Sequence, residues 1–153
     1  MKMAGAGWRT RLLCACLGLA AAPAVLAQTL PFAGRWLLDD PAQAQGGYTV
    51  LDIKDGRMRW SGPDKSAPAC VQEFAPKIEK PGTVYRDGRG TRFVAGAKGS
   101  LPTYLLTLRS GSCGRADEDV RISYPLVYDT RHIEVIEYVN GRPVSSRHFH
   151  RKQ

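Results

Sequence analysis

The sequence predicts an all-β protein, an antiparallel up-and-down barrel of about eight to ten short strands. Hairpin-type turn signals recur along the chain, and short runs of β-branched and aromatic residues lie between them. No window shows the apolar repeat of an amphipathic helix. These observations favour an antiparallel barrel or sandwich. We predict the barrel, because closure leaves no exposed strand edge.

Residues 1–27 are predicted to be a signal peptide that lies outside the fold. Lys2, Arg9 and Arg11 give a basic start, an apolar run follows, and Val25-Leu26-Ala27 offers small residues for cleavage before Gln28. The run is shorter than the roughly 20 apolar residues of a membrane helix. We therefore expect residues 28–153 to form a single β-barrel domain, periplasmic or secreted, with no stable membrane insertion after cleavage.

The four cysteines divide between these two segments. Cys14 and Cys16 leave with the signal peptide, unless Leu13-Cys14-Ala15-Cys16 acts as a lipobox and Cys16 anchors a lipoprotein. Cys70 and Cys113 remain in the mature chain. An isolated pair in an oxidising compartment is most simply a disulfide bond.

The chain is basic, with a formal net charge of +8 from 22 basic and 14 acidic residues. The basic residues are scattered rather than clustered with aromatic side chains, which is not the pattern of a nucleic-acid-binding surface. We expect no nucleic-acid partner. The charge predicts a soluble surface with mild attraction to anionic components of the cell envelope.

The predicted strands start at Gly34, which opens the first of them. A short turn is expected at 40–45, where Asp40-Pro41 favours a single helical turn. The further predicted strands are 48–53, 57–60, 83–86, 92–94, 103–109, 120–127 and 132–138, followed by the return strand of the last hairpin.

The first hairpin has a pairing that follows from its turn, Asp55-Gly56, a strong type I′ signal. Opposed residues share a face, so one face of this hairpin is apolar and the other is charged. A slip of one residue would mix the two faces. The predicted pairs are Lys54 with Arg57, Ile53 with Met58, Asp52 with Arg59, and Leu51 with Trp60.

The last hairpin gives two mixed faces when the same reasoning is applied to its turn, Asn140-Gly141. With regular pairing, Glu137 lies opposite Val144 and His132 lies opposite Phe149. Either a β-bulge shifts the register partway along the strands, or one face lines a partly polar barrel interior.

The stretch Gly34-Arg35-Trp36 at the start of the first strand resembles the opening motif of the lipocalin and calycin superfamily. The resemblance implies an up-and-down barrel in which Trp36 plugs the closed end. It also implies that an arginine of the last strand, Arg147 or Arg151, packs over the indole ring in a cation–π contact. The function that it implies is binding of a small ligand.

A fainter likeness is to the small secreted metalloprotease inhibitors of bacteria, which are compact barrels with one disulfide. They also open on Gly-x-Trp, and ACVQEFAP at 69–76 is similar to their cysteine segment. This resemblance implies inhibition of an enzyme through the N-terminal tail, here residues 28–33.

His148 and His150 are the only candidates for metal ligands that the sequence spacing suggests. Residues two apart on a strand share a face, and imidazole binds transition metals. The regular pairing places His132 on the opposite face, so a third ligand would have to come from Glu137 or from another strand. We read the histidines as the polar end of an edge strand, and we predict no metal and no cofactor.

Catalysis requires a nucleophile, a base and an orienting group that converge in space. None of the serines lies in a nucleophile-elbow pattern. The carboxylates at 39–40 and 117–119 are adjacent in turn-like segments, where neighbouring side chains do not converge. We therefore expect that the protein is not an enzyme.

Taken together, the patterns and the resemblance predict an exported, lipocalin-like binding protein for a small apolar molecule, with its ligand-binding residues unassigned. The alternative is a periplasmic inhibitor or accessory protein. In that case loops such as 62–69 and 111–118 would bind another protein of the envelope.

Overall fold

A computed structural model of the chain describes residues 30–97, 100–113 and 118–152. The signal peptide predicted at 1–27 lies outside these residues and stays a prediction, as does a lipid anchor at Cys16. The described residues form ten strands and one short 3-10 helix, Pro41–Gln43. The strands are β1 (Gly34–Leu38), β2 (Val50–Lys54), β3 (Arg57–Ser61), β4 (Cys70–Ile78), β5 (Val84–Arg86), β6 (Arg92–Val94), β7 (Tyr104–Gly111), β8 (Asp119–Ser123), β9 (His132–Val139) and β10 (Arg142–Arg151).

Eight of these strands close into an antiparallel barrel, which confirms the predicted fold class. Neighbours in the barrel follow one another along the chain, from β1 to β4 and from β7 to β10, and β10 pairs with β1 to complete the circle. We call the end that holds the turn between β2 and β3 the closed end. The open end holds the loops after β1, β3, β7 and β9. None of the described residues belongs to a helix long and apolar enough to span a membrane.

Two strands differ from the sequence prediction. The strand β4 was not predicted, although it is among the longest, and it carries Pro76 opposite Leu106 of β7. The strand β8 ends at Ser123 rather than at residue 127. Pro125 follows, and the apolar residues after it lie in an exposed loop in which the side chain of Tyr128 is 79% exposed.

The first hairpin has the predicted register at every position, from Lys54 opposite Arg57 to Leu51 opposite Trp60. Both central residues of its turn, Asp55 and Gly56, have positive φ angles of 51° and 72°. This is the backbone that a type I′ turn requires. The turn signal and the alternation of apolar residues together therefore determine the register of this hairpin.

The last hairpin contains a β-bulge. Its turn has the predicted form, but Val144 has no partner, because Pro143 pairs with Tyr138 while Ser145 already pairs with Glu137. The regular pairing of Glu137 with Val144 is therefore wrong. One extra residue on one strand reverses which of its later residues face the interior.

The bulge changes the neighbours of the histidines and the content of the barrel. His132 lies opposite His150 rather than opposite Phe149. Glu137 and Arg147 line the interior toward the open end. Both explanations for the mixed faces thus hold, since the bulge is present and the interior is partly polar.

The hairpin of β5 and β6 is inserted between β4 and β7 and packs on the outer face of the barrel. Tyr85 and Ala95 of the insertion form a buried cluster with Ile136 and Tyr138 of β9. Outside the barrel wall there is therefore a second, smaller apolar layer.

Arg121 of β8 joins this insertion to the barrel. Its Nε and Nη2 atoms donate to the two carboxylate oxygens of Glu79 at 2.6 and 2.7 Å, and its Nη1 contacts the hydroxyl of Tyr138. That hydroxyl donates to the carbonyl oxygen of Arg86 at 2.9 Å. Every polar group of this buried cluster has a partner, so we assign it a structural role.

A disulfide bond joins Cys70, at the start of β4, to Cys113, which follows β7. It closes a loop with a sequence separation of 43 residues. Loop closure of this size stabilises the folded state by about 4 kcal/mol in the chain-entropy model. Cys70 also lies on the inner wall near the open end, so the bond ties together two strands that border it.

Candidate functional site

The closed end is plugged by Trp36, whose side chain is fully buried. Its indole Nε1 donates a hydrogen bond to the carbonyl oxygen of Phe32 at 2.9 Å. The buried Phe32 ring packs edge-on against Tyr104, with 4.9 Å between the ring centroids. Aromatic side chains therefore fill this end of the barrel.

Arg151 lies over this plug, with its guanidinium carbon 4.4 Å from the centre of the Trp36 ring. Its Nη1 and Nη2 atoms donate to the carbonyl oxygens of Ala33 and Pro31 at 2.8 and 3.0 Å. Of the two arginines that the resemblance offered for this position, the structure places Arg151 here and Arg147 elsewhere. The contact secures the segment before β1 to the last strand.

Gly34 is required by the same arrangement. Its φ angle is +134°, and a Cβ atom at this position would lie 2.5 Å from Nη1 of Arg151. Only glycine adopts such a backbone easily and leaves room for the guanidinium. The Gly-x-Trp motif thus has a local physical reason, because the glycine admits the arginine that covers the tryptophan.

The open end contains a cavity of about 300 Å³. Apolar side chains, the disulfide-bonded Cys70 and several polar groups form its wall, and the loop between β1 and β2 contributes to the rim. The lining residues are Gln45, Gly46, Tyr48, Trp60, Cys70, Gln72, Leu108, Glu118, Asp119, Val120, Glu137, Tyr138, Val139, Val144 and Arg147.

Arg147 is the buried cation of this cavity, with its side chain 4% exposed. Its guanidinium carbon lies 4.7 Å from the centre of the Trp60 ring. Its Nη2 atom donates to Oε2 of Glu137 at 2.7 Å, and the hydroxyl of Ser145 donates to the same oxygen. The cavity wall therefore carries an ion pair stacked on an indole.

This ion pair leaves part of the guanidinium without partners. Both Nε and Nη1 of Arg147 are buried, and neither has a hydrogen-bond partner. A buried donor left unpaired costs about 1–3 kcal/mol, and more when the group is charged. Such groups are rare in folded proteins and call for an explanation, and among the described residues with unpaired buried side-chain atoms Arg147 is the one that borders this cavity.

The candidate metal ligands His148 and His150 do not form a metal site with other described residues. His150 Nδ1 lies 2.6 Å from Oδ1 of Asp39, and His132 Nδ1 lies 2.9 Å from Oδ2 of Asp129. No three potential ligands among residues 30–97, 100–113 and 118–152 are close enough to hold one ion. The histidines lie on the outer face of the barrel, each beside a single carboxylate.

Sequence reasoning did not identify Glu137 and Trp60 as parts of a site. The sequence favours a place in the core for Trp60, and the residue is buried, but its ring also forms the part of the cavity wall on which Arg147 stacks. The signal for Glu137 was present in the mixed faces of the last hairpin. Only the position of the bulge shows that the glutamate and the arginine face inward together.

Comparison with protein-family models, with curated proteins and with solved structures gave no match to this chain. Its function is therefore inferred from the geometry of the described residues.

Proposed function

We propose that this protein is an exported binding module that holds a small, largely apolar molecule in the open end of its barrel. The observation that carries the proposal is a cavity of about 300 Å³ at one end of a barrel whose other end is plugged. Ligand pockets in proteins run from about 300 to 1,000 Å³ and are mostly apolar with a few placed polar groups. This cavity matches the lower end of that range and the same composition.

The lipocalin-like character of the barrel supports the same function. The chain combines an up-and-down barrel with Gly34, Trp36 and Arg151 in the arrangement that the resemblance implies. In that superfamily the open end holds the ligand. The predicted signal peptide places the protein in the periplasm or outside the cell, where a binding module would meet its ligand.

Tryptophan fluorescence provides a direct test on purified residues 28–153. This segment contains only Trp36, in the plug, and Trp60, in the cavity wall. Titration with 1-octanol, a small apolar molecule with one polar group, is expected to change the emission of Trp60 in a saturable way. A Trp60→Phe variant should lose the signal, while Trp36 reports that the plug is unchanged.

A matched pair of variants tests whether the apolar molecule binds in the cavity. Val120 lies on the cavity wall and is buried, so Val120→Phe fills part of the cavity. Val84 lies on the inserted hairpin and is 49% exposed, so Val84→Phe adds the same volume outside the barrel. We expect the first variant to bind at least about tenfold more weakly and the second to bind normally. Equal binding by both would contradict the proposal.

A second candidate function is contact with another envelope protein, and a separate observation favours it. Leu126, Val127 and Tyr128 follow one another in the loop between β8 and β9, and their exposed fractions are 49%, 66% and 79%. Exposed apolar patches of this kind often mark interaction sites. The test is recovery of a periplasmic protein by the wild type but not by a variant with serine at these positions. Equal recovery by both would contradict it.

A further inference from the structure

We propose that the ligand of this cavity carries an uncharged head group that accepts hydrogen bonds from Arg147. This inference rests on the proposed binding function and adds the chemical class of the ligand. It follows from three features of the cavity wall: the unpaired donors of Arg147, the balance of charge around it, and the position of Glu137.

The unpaired donors require an acceptor. Nε and Nη1 of Arg147 have no partner among the described residues, and burial keeps bulk water from serving them. Neither atom is exposed on the surface of the cavity, so binding includes a turn of the guanidinium about its own side-chain torsions. A carbonyl or hydroxyl oxygen brought in by a ligand would then recover hydrogen bonds that the free protein lacks.

The balance of charge argues against an anionic head group. The positive charge of Arg147 is already paired with Glu137 at 2.7 Å. The pair as a whole therefore has no net charge, and the carboxylate of Asp119, a residue that also borders the cavity, accepts from Thr107 on the outer face of the barrel. A carboxylate on the ligand would gain no net attraction from this pair, and it would lie near the carboxylate of Glu137 in a site that is poorly screened by water. The cavity is therefore selective against anions although the whole chain is basic, with a net charge of +8.

Glu137 offers a further point of recognition. Its Oε2 atom accepts from both Arg147 and Ser145, and no donor among the described residues reaches its Oε1 atom. The side chain of Glu137 is 29% exposed. A head group with both an acceptor and a donor, such as a primary amide, complements the ion pair on both sides.

Octanamide and octanoate provide the test, because they have the same chain and the same number of non-hydrogen atoms and differ in the charge of the head group. Isothermal titration calorimetry at pH 7 on residues 28–153 is expected to show octanamide binding at least about tenfold more tightly than octanoate. Octanoate binding as tightly as octanamide would overturn the inference.

Two variants test whether the preference for octanamide over octanoate depends on the ion pair of Arg147 and Glu137. Glu137→Gln keeps the size of the side chain but leaves the charge of Arg147 unbalanced, so octanoate should gain at least about tenfold and the order should reverse. The double variant Arg147→Met with Glu137→Gln removes both charges together, and it should bind both compounds without preference. Far-ultraviolet circular dichroism and thermal unfolding show that each variant is folded.

The outcomes separate this inference from the proposed function. If 1-octanol binds and the double variant keeps the preference of the wild type for octanamide, the cavity binds ligands but the head-group assignment is wrong. If 1-octanol, octanamide and octanoate all fail to bind to the wild type, the proposed function itself is wrong.

Discussion

The two ends of the barrel each contain an arginine of β10 stacked on a tryptophan, yet they differ in how the arginine is satisfied. At the closed end, Arg151 covers Trp36 and donates to two backbone carbonyl oxygens. At the open end, Arg147 covers Trp60 and donates through a single nitrogen to Glu137, with two nitrogens unpaired. The stacking geometry is nearly the same at 4.4 and 4.7 Å.

The difference shows that a stacked pair of this kind does not by itself indicate function. What separates the two ends is whether the hydrogen-bond donors are used by the protein. At the closed end both Nη atoms of Arg151 donate to backbone carbonyl oxygens, so this arginine holds the fold together. The open end is incomplete and borders a cavity, which is the condition under which a ligand gains from the same chemistry.

Replacement of Trp36 should have the largest effect on stability. Trp36→Ala removes a fully buried indole from the plug, and we expect a loss of about 5 kcal/mol in the free energy of unfolding. Trp60→Ala should cost less than about 3 kcal/mol, because Trp60 already borders a cavity. Urea denaturation of both variants measures the contrast. Equal losses of stability in the two variants would contradict the distinction between the two ends of the barrel.

Removal of the arginines should have intermediate effects that differ between the ends. Arg151→Met leaves the carbonyl oxygens of Ala33 and Pro31 without donors, and we expect a loss of about 2 kcal/mol. The double variant Arg147→Met with Glu137→Gln should change stability by less than about 1 kcal/mol, because replacing a buried ion pair by neutral groups is often close to neutral. Chemical denaturation provides the measurement. A larger loss for the double variant would assign the open-end pair a structural role.

Replacement of Tyr124, a residue of the closed end, should have the smallest effect on the free energy of unfolding at pH 7. Burial raises the pKa of Tyr124 to about 12, and its hydroxyl has no hydrogen-bond partner. Because no hydrogen bond is lost, Tyr124→Phe should leave stability at pH 7 unchanged or raise it by up to about 1 kcal/mol.

The same residue predicts a dependence on alkaline pH. The folded protein holds the tyrosine proton more tightly than the unfolded chain, whose pKa is near 10. The resulting contribution to stability is therefore complete below pH 10 and is lost as the pH rises toward 12. Tyr124→Phe should reduce this decline but not abolish it, since burial also raises the pKa of Tyr138 to about 12. Tyr128→Phe, at an exposed position, is the control and should leave the decline as it is in the wild type.

The fold was predictable from the sequence wherever local signals were strong. The turn at Asp55-Gly56 and the alternation around it determined the first hairpin to the residue. The strand β4 was missed because its pattern is interrupted by Pro76, which pairs with Leu106 of β7 and lies beyond the part of β4 that pairs with β3. Tertiary pairing of this kind leaves no trace in a short window of sequence.

The site was less predictable than the fold, for a related reason. A bulge at Val144 sets which face of β10 turns inward, and the position along the strand then places Arg151 rather than Arg147 over Trp36. The position of a bulge is determined by the pairing of the whole sheet rather than by one residue. The unpaired nitrogens of Arg147 are visible only after the neighbours of its side chain are known.

The spacing of the two arginines on β10 links the two ends of the barrel. Arg147 and Arg151 are an even number of positions apart beyond the bulge, so both belong to the same side of the pleat. A slip of one residue in the pairing of this strand would turn both side chains outward, so Trp36 would lose the cover of Arg151 and the cavity wall would lose Arg147. A barrel whose closed end is covered by Arg151 is therefore also one in which Arg147 faces the interior.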